Sequence, residues 1–132
     1  MNTRFLMAAS SVFTGLLGVA ASFLPQEILT HFGAAPDDVS VLVLQFAGAL
    51  YLGFAMLNWM ARANLIGGIY SRPVAMGNFL HFTMGALVLV RAWVDGDAGV
   101  AIPAAGGVYA LFAVAFGAVL FTHPASQSAP QG

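Results

Sequence analysis

Among the polar side chains inside stretches that are otherwise apolar, four stand out as able to bind a ligand or relay a proton: Gln45, Asn58, Asn78 and His81. A polar group at membrane depth costs free energy unless paired, so each is a candidate ligand-binding residue. His81 has the widest repertoire, because an imidazole can ligate haem, bond a quinone carbonyl or relay a proton. A structural reading competes with these and carries more weight. In it His81 is neutral and bonds across helices to a serine, a glutamine or a backbone carbonyl, as polar groups in membrane bundles commonly do. Haem usually wants two axial groups. The other histidines, His31 and His123, belong near opposite surfaces, so only a haem shared between two copies through His81 would fit.

A second group sits where an apolar stretch ends: Trp59, Arg62, Tyr70 and Arg72. Tryptophan and arginine at this place normally anchor a span in the interface. The functional alternative is that Arg62 and Arg72 hold an anionic lipid headgroup or a partner's acid. Asp37 and Asp38 are adjacent, and adjacent residues do not face each other on a helix, so they are not an acid–base pair. The chain has no nucleophile elbow, phosphate loop or HExxH motif. No acid lies inside an apolar stretch, which weakens a proton-coupled exporter reading. A voltage sensor would need several arginines in one span. With no cysteine, disulfides, thiolate metal sites and cysteine nucleophiles are excluded. The expectation is a chain with no catalytic residues, no metal and no required cofactor.

The elements that must position these residues follow from composition. Of 132 residues, 60% are hydrophobic and 7% charged. A soluble domain is about 45–50% apolar and about 25% charged, so this chain could not cover its surface in water. Four cations, all arginine, make no basic stripe for a phosphate backbone, which excludes nucleic acid as a partner. Crossing the hydrocarbon core takes about 20 apolar residues in a helix. Four stretches qualify, at about 5–24, 39–60, 73–94 and 100–121, and the charges lie outside them or at their margins. Period-two alternation is absent, so a barrel is excluded. The expected fold is all-α: an integral membrane, antiparallel four-helix transmembrane bundle spanning 1–122, followed by a polar tail at 123–132 that is expected to be disordered.

The connections add detail. Pro25 suits a first helical turn and Gly33 a helix stop, so residues 26–32 should form a short helix lying in the interface. Pro36, Asp37 and Asp38 should open the second span, with carboxylates at its positive end. Asp95-Gly96-Asp97 reads as a tight reversal, with Arg91 snorkelling outward or pairing with one of these aspartates. Arg4 followed by an apolar run and Val19-Ala20-Ala21 is compatible with a cleaved leader, but the length of the run favours a retained span. Arg4, Arg62 and Arg72 share one side of a four-span chain, which puts both termini in the cytoplasm of a bacterium with the chain in its inner membrane.

Helices in lipid associate through small residues. Ala8, Ser11, Gly15, Gly18 and Ser22 form such a ridge on the first span. Ala49 and Gly53 mark the second, Gly77, His81 and Gly85 the third, and Gly106, Ala110, Ala113 and Gly117 the fourth. The large residues then face lipid or fill outer layers. Antiparallel spans two and three would draw Asn58, Arg62, Asn64, Tyr70, Arg72 and Asn78 toward one end. His81 and then Gln45 lie deeper, His81 about 12 Å along its span.

The residues 45–51 (Gln45-Phe-Ala-Gly-Ala-Leu-Tyr51), Asn58-Trp59-Met-Ala-Arg62, Ile66-Gly-Gly-Ile-Tyr70-Ser-Arg72-Pro73, Asn78 and His81-Phe82 resemble small bacterial four-span proteins of the DoxX-like type, over roughly a third of the chain. That resemblance implies a four-span membrane fold and no particular reaction. The His81-Phe82 pair is also similar to the four-span scaffold of ergosterol biosynthesis, a likeness too short to transfer a role. Three functions remain open: a non-catalytic accessory or scaffold subunit in a homodimer or larger membrane complex, a binder of a quinone, lipid or haem between spans two and three, and a small dimeric channel or transporter. The first is preferred.

Overall fold

Runs of apolar residues with proline confined to their first turns give long uninterrupted helices, because a first-turn residue needs no amide hydrogen for the ladder. The structure, a computed structural model, describes residues 2–63, 72–96 and 99–122. It is all-helical over these residues: α1 (Thr3–Phe23), α2 (Pro25–His31), α3 (Asp38–Ala61), α4 (Arg72–Asp95) and α5 (Ala101–Thr122). The four long helices match the four expected spans to within two residues at each end, and α2 is the expected short helix. Each long helix is extended and apolar enough to cross a membrane, and the chain is a multi-pass membrane protein. Asn64, Gly67, Gly68, Tyr70, Asp97 and His123, with the rest of the tail, lie outside the described residues.

Local sequence sets the ends. The Asn2 side chain accepts from the amides of Arg4 and Phe5 and caps α1. Leu24 closes α1 and opens α2, with Pro25 in the first position. Gly33 follows α2 at φ +77°, a left-handed conformation that glycine adopts without a Cβ penalty. Asp37 caps α3, its carboxylate accepting from the amides of Val39 and Ser40 and from the Ser40 hydroxyl at 2.6 Å. Arg91 pairs with Asp95 at 3.3 Å, both exposed, as an i,i+4 surface ion pair of little energetic weight.

The Ser40 hydroxyl, and then the amides beside it, hold the Asp37 carboxyl below its ordinary value. A depressed carboxyl stabilises the fold above its unfolded value, and that contribution fades as pH falls through the folded value. Asp37 should therefore titrate below a peptide aspartate when followed by carboxyl NMR. Ser40→Ala should raise the midpoint, and an unmoved midpoint would remove the hydroxyl's role.

Two compact units divide the chain, Met1–Ala63 and Asn64–Gly132. In the first, α1 runs antiparallel to α3, and the two backbones come close together at Gly18 and Gly48. A Cβ on Gly48 would come within 2.8 Å of the Ser22 amide nitrogen and 2.9 Å of the Gly18 carbonyl oxygen. A Cβ on Gly18 would meet the Leu52 nitrogen at 2.9 Å and the Gly48 oxygen at 3.0 Å. Backbone therefore touches backbone here, as small residues permit in membrane pairs. The ridge of α3 differs from the one expected. Ala49 is exposed and Gly53 has nothing near its Cβ position, because the helix is rotated to present Gly48, Leu52 and Ala55 to α1.

In the second unit α4 runs antiparallel to α5, and aromatic rings dominate the seam. Phe82 and Phe116 are fully buried. Phe82 stacks on Phe112 (ring centroids 4.8 Å apart) and on Phe116 (5.8 Å, planes 9° apart), and meets Tyr109 edge-on at 5.3 Å. Gly85 makes room for the Tyr109 ring, and Phe79 lies against Gly117. Phe82, Tyr109 and Phe116 are thus core here, contrary to the expectation that large residues face outward, whereas Leu80, Leu87, Leu111 and Val114 are exposed as expected. Of the expected ridge on α5, Gly106, Ala113 and Gly117 are buried and Ala110 is exposed.

Candidate functional site

Asn58 is fully buried near the end of α3. Its side-chain NH₂ donates to the Ser10 hydroxyl on α1 at 3.1 Å, and Ser10 donates in turn to the Met7 carbonyl at 3.0 Å. One residue on, the Ser11 hydroxyl crosses the seam to the Ala55 carbonyl at 2.6 Å. Thr14, also fully buried, donates to the Ser10 carbonyl at 2.8 Å. Away from water these bonds remove the penalty of unsatisfied polar groups, and they fix the rotation and register of α1 on α3. Sequence reasoning passed over Ser10 and Thr14. Their spacing of four in an apolar run was the available signal.

Gln45 belongs to the same seam at its other end, where its amide donates to the Ser22 carbonyl at 3.4 Å. It lies about 20 Å from Asn58 along α3, at about 1.5 Å per residue. The two side chains therefore serve separate contacts with α1 and do not form one binding centre.

Asn78 and His81 lie one turn apart on α4, in the second unit. Asn78 is fully buried, and its amide donates to the Val74 carbonyl at 2.9 Å. The His81 ring is flanked by Phe82 (5.0 Å between centroids) and Tyr109 (5.6 Å). His31 is exposed on α2 beside Phe32. Among the described residues, no three histidine, aspartate or glutamate side chains gather closely enough to hold a metal ion.

Trp59 and Arg62 come together at the end of α3. The Arg62 guanidinium stacks over the indole, 3.5 Å from its centroid, and donates to the Trp59 carbonyl. This is a cation on an aromatic face, the arrangement that an interfacial anchor would use. Arg72 is the first residue of α4 and is exposed. Tyr70 lies outside the described residues. An open hollow of about 470 Å³, lined by Asn2, Arg4, Phe5, Ala8, Arg62 and Ala63, lies where α1 begins and α3 ends. Arg4 was not among the residues expected to bind an anion.

No protein-family model matches the chain, and no match appears among curated proteins or solved structures.

Proposed function

We propose that this protein is a non-catalytic accessory or scaffold subunit of a bacterial inner membrane, with both termini in the cytoplasm. The observation that carries this reading is the use to which two of the four candidate polar groups are put. Asn58 and Gln45, the ligand-binding candidates of the first unit, donate across the seam to α1. A binding protein keeps convergent polar groups turned toward a cavity; these groups hold one helix to another. The orientation rests on Arg4, Arg62 and Arg72 marking the inner ends of their helices.

Native mass spectrometry from gently solubilised membranes tests the proposal. The expected result is a stoichiometric protein partner or a second copy, unchanged by His81→Ala. A quinone or haem that survives purification and is lost in His81→Ala would overturn it in favour of a lipophilic binder. Solute movement in liposomes containing the purified chain would overturn it in favour of a transporter.

A further inference from the structure

We propose that the hollow at the start of α1 and the end of α3 binds the phosphate of an anionic phospholipid, with Arg4 and Arg62 as its cationic contacts. Both arginines line the same cavity. Neither has a salt-bridge partner among the described residues. The acids described in this unit are remote: Glu27 is in α2, and Asp37 and Asp38 lie at the opposite end of α3, about 36 Å from Arg62 along the helix. Two like charges brought to one cavity without an acid repel each other, and a bound anion reverses the sign of that interaction.

The geometry prepares Arg62 for this task. Stacking on Trp59 and the bond to the Trp59 carbonyl hold its planar fork in place while leaving further N–H donors for a phosphate. Asn2 lines the same hollow and supplies a side-chain amide, and the positive end of the α1 dipole lies there too.

A lipid, rather than free phosphate, is favoured by what continues below the cations. Phe5 and Ala8 line the hollow's α1 side. Phe5, Val12, Leu16 and Val19 are exposed at helical spacing and form an apolar stripe along α1. A headgroup held by the arginines would place its acyl chains along that stripe. The site is independent of the scaffold reading, and neither Gln45, Asn58, Asn78 nor His81 takes part in it.

The test uses the full chain carrying Trp93→Phe, which leaves Trp59 as the only tryptophan. The protein is placed in nanodiscs containing brominated phosphatidylglycerol or brominated phosphatidylcholine, and quenching of Trp59 is compared at equal mole fraction. Phosphatidylglycerol should be favoured at Trp59 by about fivefold per arginine. Arg4→Gln, which leaves the Trp59–Arg62 stack intact, should reduce the preference, and Arg4→Gln with Arg62→Gln should abolish it. Arg91→Gln, in the other unit, should leave it unchanged. Equal quenching by the two lipids would overturn the proposal, and so would a preference that survives in the double variant. Added inorganic phosphate should not relieve the quenching; relief at constant ionic strength would assign the site to a soluble phosphate instead.

Discussion

Gly48→Ala should be among the most damaging single-methyl additions in the protein. The new carbon would meet backbone on two sides, the Ser22 nitrogen at 2.8 Å and the Gly18 oxygen at 2.9 Å. Backbone cannot rotate aside as a side-chain tip can, so α1 and α3 would have to separate. Overpacking of this kind costs about 3 kcal/mol, the upper part of the usual range. Separation would also lengthen the Ser11–Ala55 and Asn58–Ser10 bonds, which depend on the same spacing. Gly53→Ala is the matched control, since its Cβ would meet nothing within 4 Å; it should stay within about 0.5 kcal/mol of the parent. Reversible unfolding in mixed micelles reads both. Equal stability of the two variants would show that the Gly18–Gly48 contact does not hold the pair together. Gly15→Ala should also be mild, because its Cβ would sit 3.5 Å from that of Ala55, an ordinary contact.

The second large effect is expected at Phe82. Its ring is fully buried and touches Phe112, Phe116 and Tyr109 at once. Phe82→Ala removes these contacts together and leaves a void that α4 and α5 cannot close without moving. In water such a truncation costs about 3–5 kcal/mol. Lipid is as apolar as the seam, so the transfer part of that cost lapses and the packing part remains. A loss of about 3 kcal/mol is expected, the low end of that range. Leu80→Ala, on an exposed face of the same helix, should change little. The same unfolding assay distinguishes them, and a Phe82→Ala protein as stable as Leu80→Ala would exclude the aromatic stack as the seam of this unit.

The two seams show what could be read from sequence and what could not. Span limits were legible because a charge is costly in hydrocarbon, so the chain marks the ends with Arg4, Asp37, Arg62, Arg72 and Asp95. The turn after α1 was legible because Pro25 and Gly33 each have a narrow set of permitted backbone conformations. Helix rotation was not legible. A span that is apolar all round carries no stripe to say which face is inside. Ala49 and Gly48 are neighbours of nearly equal size, yet only Gly48 meets α1. Phe82 and Leu80 are both large and apolar, yet one is core and the other exposed. The candidate residues were found by polarity, but their partners were not. Asn58 meets Ser10 across 48 positions of sequence, and that pairing depends on the helix register, which no single residue type reveals.

Each hairpin carries its own fastening: hydroxyls and two amides in the first, a ring stack in the second. That has a consequence for biosynthesis. Ser10, Ser11, Ala55 and Asn58 all precede residue 63, so the bonds that lock α1 to α3 can form while the ribosome is still making the remainder. The emerging chain need not hold an unpaired amide in the bilayer until translation ends, and insertion can proceed one helical pair at a time.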